Sequence, residues 1–560
     1  MFIPKLVTTL KGYDRKQFVN DVGAGIIVGV VALPLAIAFA IASGVTPDRG
    51  LWTAIVAGLI ISLLGGSRVQ IGGPTGAFVV IIYAIVQKYG IDGLIVATFM
   101  AGVLLIAFGI ARFGLAIKFI PHPVVIGFTS GIAVVIFSGE MKDLLGLQMA
   151  AVPSGFIAKW MAYGAATGIS RAASALTALS LAILIVWPKI SRRIPAPLVA
   201  LVVATVISRL LNLPVETIGS RFGSISVSIP IPHIPHISFA QATSLIGPAF
   251  AIAILGGIES LMSAVISDGM IGGRHRSNME LVAQGIANIA SASFGGIPAT
   301  GAIARTATNV KNGGRTPVAG VVHSITLLVI TAIFGRWASS IPMAVLAAIL
   351  AMVAYHMSEW RSFRAELSSP RSDIVVMLAT FLLTVLVDIT VAIEVGMVLS
   401  AFLFIKRMSE VTNINAITRE LRDDESYSGA DGSGGPRIPR GVEVYEINGP
   451  FFFGAAETFK ETLSTIAGNP KVLIIRMRNV LALDSTGMHA LKEVVHRSRR
   501  EKTLVLLSDV HMQPLVALTG SSVMDELGRD NLFGDFDQAL DRARSHVGVV
   551  LTAESSIISA

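Results

Sequence analysis

The sequence predicts an α-helical polytopic membrane protein followed by a small α/β domain, on three observations. From Phe18 to about Ile405, apolar runs of roughly 15 to 25 residues follow one another with short polar breaks, and a bilayer core takes about 20 apolar residues per helix. Of the 560 residues, 53% are hydrophobic and only 14% charged, against about 25% charged in soluble proteins. After Lys406 and Arg407 the pattern changes to alternating strand and helix periodicities.

Hydrophobic segments are predicted near 20–43, 51–65, 75–88, 92–111, 122–138, 172–188, 195–213, 243–266, 280–294, 300–310, 317–335, 342–356, 373–388 and 390–405, fourteen in all. With the N-terminus inside, alternate connections carry Arg68; Arg112 and Lys118; Lys189, Arg192 and Arg193; Arg274 and Arg276; Lys311 and Arg315; Arg361, Arg364 and Arg371. Lys and Arg are retained on the cytoplasmic side, so the even count and this bias place both termini in the cytoplasm. The opposite connections are poorer in charge, except around Lys142, Lys159 and Arg171.

Composition also excludes several classes. There is no cysteine, which removes disulfides and thiolate metal sites. The start, MFIPKLVTTLKGYDRKQF, does not read as a cleaved signal peptide. The net charge of +8 is read as membrane topology and not as a nucleic-acid surface. The histidines of IPIPHIPHIS lack a cysteine or carboxylate at ligand spacing, so no metal is expected. No nucleophile–base pair and no phosphate-binding Gly-Lys-Ser loop appears in the membrane part, so an enzyme, or a cofactor, is not expected.

The expected organisation is an N-terminal segment (1–17), a transmembrane domain (18–407), a flexible linker (408–440), an α/β domain (441–548) and a tail (549–560). RELRDDESYSGADGSGGPRIPRG has linker composition. GVEVYEINGPFFF reads as a strand pair, KVLIIRM and TLVLLSD as strands, and AAETFKETLSTIA and DSTGMHALKEVVHRSRR as helices.

Two polar interruptions carry the functional expectation. IGGPTGAFVV (Ile71 to Val80) and GGIPATGAIARTATN (Gly295 to Asn309) stand at corresponding places in two halves. Short segments broken by Gly and Pro in matching positions point to an inverted-repeat transporter with a central site. A helix that begins inside the membrane leaves its first N–H groups unpaired, and lipid cannot satisfy them. Those donors and the positive dipole end attract an anion. Arg305, about a turn into the second segment, adds a full positive charge. The alternative is a pair of kinked helices whose glycines only permit close packing. Glu259, in AIAILGGIESLMSAVISDG, is a carboxylate at membrane depth and hence a functional candidate. It suggests proton coupling, since a protonated Glu259 would no longer repel a dicarboxylate. The alternative is a structural Glu259 paired with Arg305 or with backbone N–H groups. Asp388 and Glu394 are read as structural. Phe39 could line the cavity or simply pack.

VALPLAIAFAIASGVTP, IGGPTGAF, GGIESLMSAVISD, RHRSNMELVAQGIANIASASFGGIPATGAIARTATN and the C-terminal DSTG together resemble the sulfate permease (SulP) family of anion transporters over nearly the whole chain. KDLLGLQMA, MVAYHMSEW and LTVLVDITVAIEVG resemble in particular the branch of DauA-type bacterial C4-dicarboxylate transporters. The resemblance implies a 7+7 inverted repeat with core and gate domains, elevator movement and a homodimer. It implies substrate contacts from Phe39, Thr75, Gly76, Ala77, Glu259, Thr300, Gly301, Ala302, Ile303 and Arg305. Many family members have Gln after the first-helix proline, and here Leu35 follows Pro34, which puts small inorganic anions in doubt. Sodium-coupled bicarbonate relatives place a carboxylate near Glu259, which keeps sodium coupling open. The C-terminal part resembles a STAS domain, in which Ser485 matches a phosphorylated position; Asp484 and Ser485 are equally natural N-caps. Relatives suggest a partner such as acyl carrier protein.

The expected function is therefore proton-coupled uptake of C4-dicarboxylates such as succinate and fumarate across a bacterial inner membrane. Sulfate or bicarbonate uptake is the alternative within transport, and an anion channel or a STAS-signalling sensor the alternative outside it.

Overall fold

Apolar runs punctuated by Gly, Pro, Ser and Asp become helices that start and stop at those residues. The computed structural model describes residues 2–114, 121–149, 152–153, 155–191, 194–223, 229–235, 238–418, 438–464 and 470–548. The chain divides into two units, Met1–Ser400 and Ala401–Ala560.

The first unit begins with α1 (Lys5–Thr9), α2 (Arg15–Ala42) and α3 (Pro47–Leu64). Asp14 caps α2 by accepting the Gln17 N–H at 2.7 Å, and α3, α5 and α8 have proline in their first turn, where no N–H is needed. After β1 (Gly72–Gly73) come α4 (Gly76–Ile110), α5 (His122–Leu145), α6 (Phe156–Gly164), α7 (Arg171–Ile190), α8 (Ala196–Leu210) and α9 (Ile218–Phe222). Then follow α10 (Phe239–Ile271), α11 (Ser277–Ser293), β2 (Thr300–Gly301), α12 (Ile303–Lys311), α13 (Val318–Ala338), α14 (Met343–Met357), α15 (Trp360–Glu366), α16 (Arg371–Leu386) and α17 (Ile389–Val411), the last of which carries the boundary at Ser400.

All fourteen predicted segments fall on helical stretches. The third and fourth share α4, which breaks at Gly90 with φ 71° and ψ −174°, a backbone state natural only to glycine. Among the described residues, eight helices are long and apolar enough to cross a membrane. Val202 and Val206 of α8, and Ile325, Val329 and Ile333 of α13, are exposed at helical spacing, as a lipid-facing stripe requires.

Packing within this unit comes in matched pairs. α2 packs on α13 and α10 on α4; α3 packs on α13 and α11 on α4; α5 packs on α16 and α14 on α7. Small residues make the crossings close. A Cβ placed on Gly102 of α4 would stand 2.7 Å from the Gly285 carbonyl oxygen of α11, and one on Gly285 would stand 2.5 Å from that of Gly102. Helix association in lipid depends on such backbone proximity.

The second unit holds a five-stranded sheet in the order β3 (Asn413–Ala416), β4 (Val442–Asn448), β5 (Val472–Asn479), β6 (Leu504–Ser508), β7 (Leu532–Phe533). Only β3 and β4 are antiparallel. Helices α18 (Phe453–Ser464), α19 (Ser485–Arg500), α20 (Met512–Thr519), α21 (Ser522–Leu527) and α22 (Phe536–Val547) supply the remaining elements. Ile475, Met477 and Leu507 pack with Phe459 and Leu491 in one core, while Val472, Ile474 and Leu506 pack with Phe536 and Leu540 in another. Period-two alternation sends neighbouring side chains to opposite covered faces.

Two expectations need correction. GVEVYEINGPFFF is not a strand pair: it gives β4, and Phe451 makes only an isolated bridge to Leu483 before α18 begins. β4 finds its antiparallel partner in β3, which lies inside the stretch read as a linker; residues 419–437 of that linker and the tail 549–560 lie outside the described residues.

The close α4–α11 crossing predicts that Gly102→Ala destabilises the detergent-purified chain by about 1–3 kcal/mol of overpacking, read as a lower thermal midpoint. Gly139→Ala, where a Cβ meets nothing within 4 Å, should leave it unchanged. Equal midpoints for the two variants would contradict the crossing.

Candidate functional site

The two polar interruptions meet each other. Gly72 pairs with Gly301 and Gly73 with Thr300 in an antiparallel two-stranded ladder, and the Ala302 N–H donates to the Ile71 carbonyl at 2.8 Å. Extended backbone in an apolar interior must satisfy its own polar groups, and here each half satisfies part of the other. Side chains of α12 complete the exchange: Thr306 Oγ1 accepts the Ile71 N–H at 3.0 Å, and Asn309 Nδ2 donates to the Val69 carbonyl at 2.8 Å.

Directly after the ladder, α4 begins at Gly76 and α12 at Ile303, with Thr75 and Ala302 as N-caps. Neither cap makes a side-chain hydrogen bond to its helix, although Thr75 is a residue type that readily does so. Thr75 Oγ1 is buried, makes no well-formed hydrogen bond and faces the Glu259 carboxyl. Both helix starts are therefore left with first-turn donors and a positive dipole end uncapped by side chains. Thr75, Gly76, Ala77, Thr300, Gly301 and Ala302 are all buried, and Thr300 Oγ1 donates to the Gly256 carbonyl of α10 at 2.7 Å, less than a turn before Glu259.

Arg305, the third residue of α12, is 2% exposed. Its Nη2 donates to the Pro74 carbonyl, so the cation of the second half-helix is tied to the chain entering the first. Nη1 is buried with no partner. A Cβ on Gly73, whose φ is 146°, would stand 2.6 Å from Nη1, which is why glycine is required there. Among the described residues Glu259 makes no ion pair with Arg305; its carboxyl faces the Thr75 hydroxyl. It also lines a cavity with Ile303, Val124, Val125, Phe128 and Glu359 among others. Phe39 is 5% exposed and, with Met357, flanks Gly76: a Cβ there would meet Phe39 Cε1 at 3.3 Å and Met357 Sδ at 2.8 Å.

Several polar residues behind the ladder escaped the sequence reading. Glu280 of α11 is fully buried and accepts from the N–H groups of Gly66 and Ser67 at 2.8 and 3.0 Å, from Gln70 Nε2 at 3.0 Å, Ser260 Oγ at 3.1 Å and Gln284 Nε2 at 2.9 Å. Asn288 clamps the second interruption, donating to the Ala299 carbonyl at 2.8 Å and accepting its N–H at 2.9 Å. Glu280, Gln284, Asn288 and Ser291 recur along one face of α11, a polar stripe at helical spacing that could have disclosed them. His323 of α13 is fully buried, and both its ring nitrogens lack partners. Among the described residues no cluster of three metal-ligating side chains occurs.

In the second unit, Asp484 caps α19 by accepting the Gly487 N–H at 2.7 Å. Ser485 is the first residue of that helix and is exposed.

The model of the sulfate permease family matches residues 18–380, and that of the STAS domain residues 436–539. The chain is 40% identical over 536 residues to the putative sulfate transporter YvdB of Bacillus subtilis, covering 94% of this chain and 98% of that one. It is 30% identical to the bicarbonate transporter BicA of Picosynechococcus, covering 96% and 97%. Its fold is similar to that of the murine Slc26a9 anion transporter in the inward-facing state, with a TM-score of 0.87 at 19% identity, covering 97% of this chain and 94% of that one.

Two outcomes follow from the geometry. Arg305→Ala should weaken substrate binding by about 100-fold, or ~2.7 kcal/mol, in equilibrium binding to the purified chain; unchanged affinity would remove Arg305 from the site. Asn288→Ala strands two buried backbone groups at about 1–3 kcal/mol each, so the thermal midpoint should fall, with uptake affinity falling alongside it.

Proposed function

The chain belongs to the sulfate permease family, whose members are anion transporters and not enzymes, and we propose that it binds its anion between the N-termini of α4 and α12 and carries it by secondary active transport. The observation that carries this reading is the β1–β2 ladder, which brings two uncapped helix starts together beside a buried Arg305. Glu259, in the cavity that Ile303 also lines, is the proton-coupling group.

The proposed substrate is a C4-dicarboxylate such as succinate or fumarate. The cavity beside Glu259 is walled by Val124, Val125, Phe128, Leu255, Ile258, Met262, Ile393 and Met397, a lining that suits the hydrocarbon centre of an organic anion better than sulfate. The cavity is small, about 50 Å³, so admitting a dicarboxylate requires its walls on α5, α10 and α17 to part. Bicarbonate is the second reading, favoured by the likeness to BicA, and leaves sodium in place of the proton as the coupling ion.

The matched packing pairs support a fourteen-segment 7+7 inverted repeat: exchanging the halves carries α2–α13 onto α10–α4, α3–α13 onto α11–α4 and α5–α16 onto α14–α7. They also support a core of α2, α3, α4 and α10 to α13 that moves against a gate of α5, α7, α8, α14, α16 and α17 in an elevator. The family resemblance adds a homodimer, and the positive-inside bias adds cytoplasmic termini and STAS domain in a bacterial inner membrane. Exposure of Ser485 at a helix N-terminus, where a phosphate is favoured, supports regulation by phosphorylation, with acyl carrier protein as a docking partner.

Proteoliposomes holding the full chain should accumulate radiolabelled succinate when an inward proton gradient is imposed, and Glu259→Gln should abolish the dependence on that gradient. Accumulation of sulfate or bicarbonate alone would overturn the dicarboxylate, and no gradient-driven accumulation of any anion would overturn transport.

A further inference from the structure

A second cavity, of about 860 Å³, lies between α4, α5, α6 and α16, and α5 is the helix it shares with the cavity beside Glu259. The first takes Val124, Val125, Phe128 and Thr129 from the start of α5, and the second takes Val135, Ile136, Gly139, Glu140, Lys142 and Asp143 from its end. From Phe128 to Glu140 is about 18 Å along the helix at 1.5 Å per residue. Two charged side chains line it deep inside the protein: Glu140 of α5, 8% exposed, and Lys159 of α6, 6% exposed. Neither makes an ion pair or hydrogen bond with any described residue. The Lys159 ammonium instead lies over the Tyr83 ring of α4, 5.4 Å from its centroid.

Their neighbours are occupied. Asp143 is held by Arg221 at 2.5 Å, and Arg221 also holds Glu216 at 2.5 Å, keeping the Glu216 carboxyl below its usual range by that hydrogen bond. Asp388 accepts the Thr390 N–H at 2.7 Å. Lys88 and Lys142 line the same cavity but are less buried. A buried carboxylate and a buried ammonium that face one cavity without pairing leave both desolvated. One ligand relieves both: an anion whose charged oxygen takes the ammonium and whose own O–H donates to the carboxylate.

We propose that this cavity is a second anion station, selective for an oxyanion that still carries an O–H, such as bicarbonate or a monoprotonated dicarboxylate. Lys159 binds the charged oxygen, over the face of Tyr83, and Glu140 accepts the O–H. A dianion without a proton, such as sulfate, meets Glu140 as a like charge. A monoanion without an O–H, such as nitrate, engages Lys159 alone. The station repeats a feature of the deeper site, where Glu259 and Arg305 likewise make no ion pair with each other, and it filters anions by protonation before they reach it.

The inference rests on the anion-transport reading, and the two fail separately. Wild-type proteoliposomes that take up none of these anions would sink the reading. The station is read by binding of radiolabelled bicarbonate to the full chain in the Arg305→Ala background, with unlabelled nitrate and sulfate as competitors. Bicarbonate should bind there and lose at least ~10-fold in affinity, about 1.4 kcal/mol, on Lys159→Met. Glu140→Gln should let sulfate compete while bicarbonate still outcompetes nitrate, because the amide oxygen still accepts; Glu140→Leu should remove that advantage as well. No bicarbonate binding in the background, or no effect of Lys159→Met, would overturn the station. Should Arg305→Ala fail to fold, the same variants are read as uptake KM in the otherwise native chain, where parallel changes for bicarbonate and sulfate would overturn it.

Discussion

A backbone that leaves helical geometry at membrane depth has to find hydrogen-bond partners in the protein, because lipid offers none. The ladder of Gly72 and Gly73 with Thr300 and Gly301 is this chain's answer, and much of the first unit is arranged around it. It joins the two halves of the sequence at their interruptions, and it sets α4 and α12 to begin beside each other. It also explains why the residues there are small. Gly73 needs its positive φ and lies against the Arg305 guanidinium, while Gly301 lies against the Gln70 amide.

Holding the ladder takes a polar shell inside an apolar fold. Glu280 collects five donors from three chain segments, Asn288 grips Ala299, and Thr306 and Asn309 reach back to the strand from the opposite half. A buried carboxylate that accepts this many hydrogen bonds is compensated where an isolated one would not be. The partnerless groups stand out against that background. One Arg305 nitrogen and both nitrogens of His323 are buried yet unsatisfied around the helix starts, as expected where a ligand, and not protein, completes the shell.

Much of this was legible in the sequence, and the physical reasons for what was not differ from case to case. Hydropathy runs and Gly/Pro breaks located the long helices, even the division of α4 at Gly90, because both signals are local, but they missed the short helices α1, α6, α9 and α15 and stopped α5 and α17 well short of Leu145 and Val411. The matching of the two interruptions was legible as well, together with Arg305 and Glu259, since a charge in an apolar run is conspicuous. What the sequence did not disclose is that Arg305 reaches the Pro74 carbonyl and not Glu259, a contact over more than two hundred residues with no local trace. The Glu280–Asn288 stripe was visible as polar residues at helical spacing on α11, but its role was not, because the five donors Glu280 collects come from three chain segments with no local trace in the sequence. β3 was hidden because four residues beside a linker carry too little pattern to mark a strand.

The central claim is that the two helix starts are the anion site. Its most direct test is a high-resolution structure of the full chain saturated with whichever anion the uptake assay shows to be carried. The account predicts density for that anion within hydrogen-bond distance of the first free N–H groups of α4, at Gly76 and Ala77, and of α12, at Ile303 and Ala304. Density confined to another part of the protein, with those N–H groups facing side chains, would contradict it.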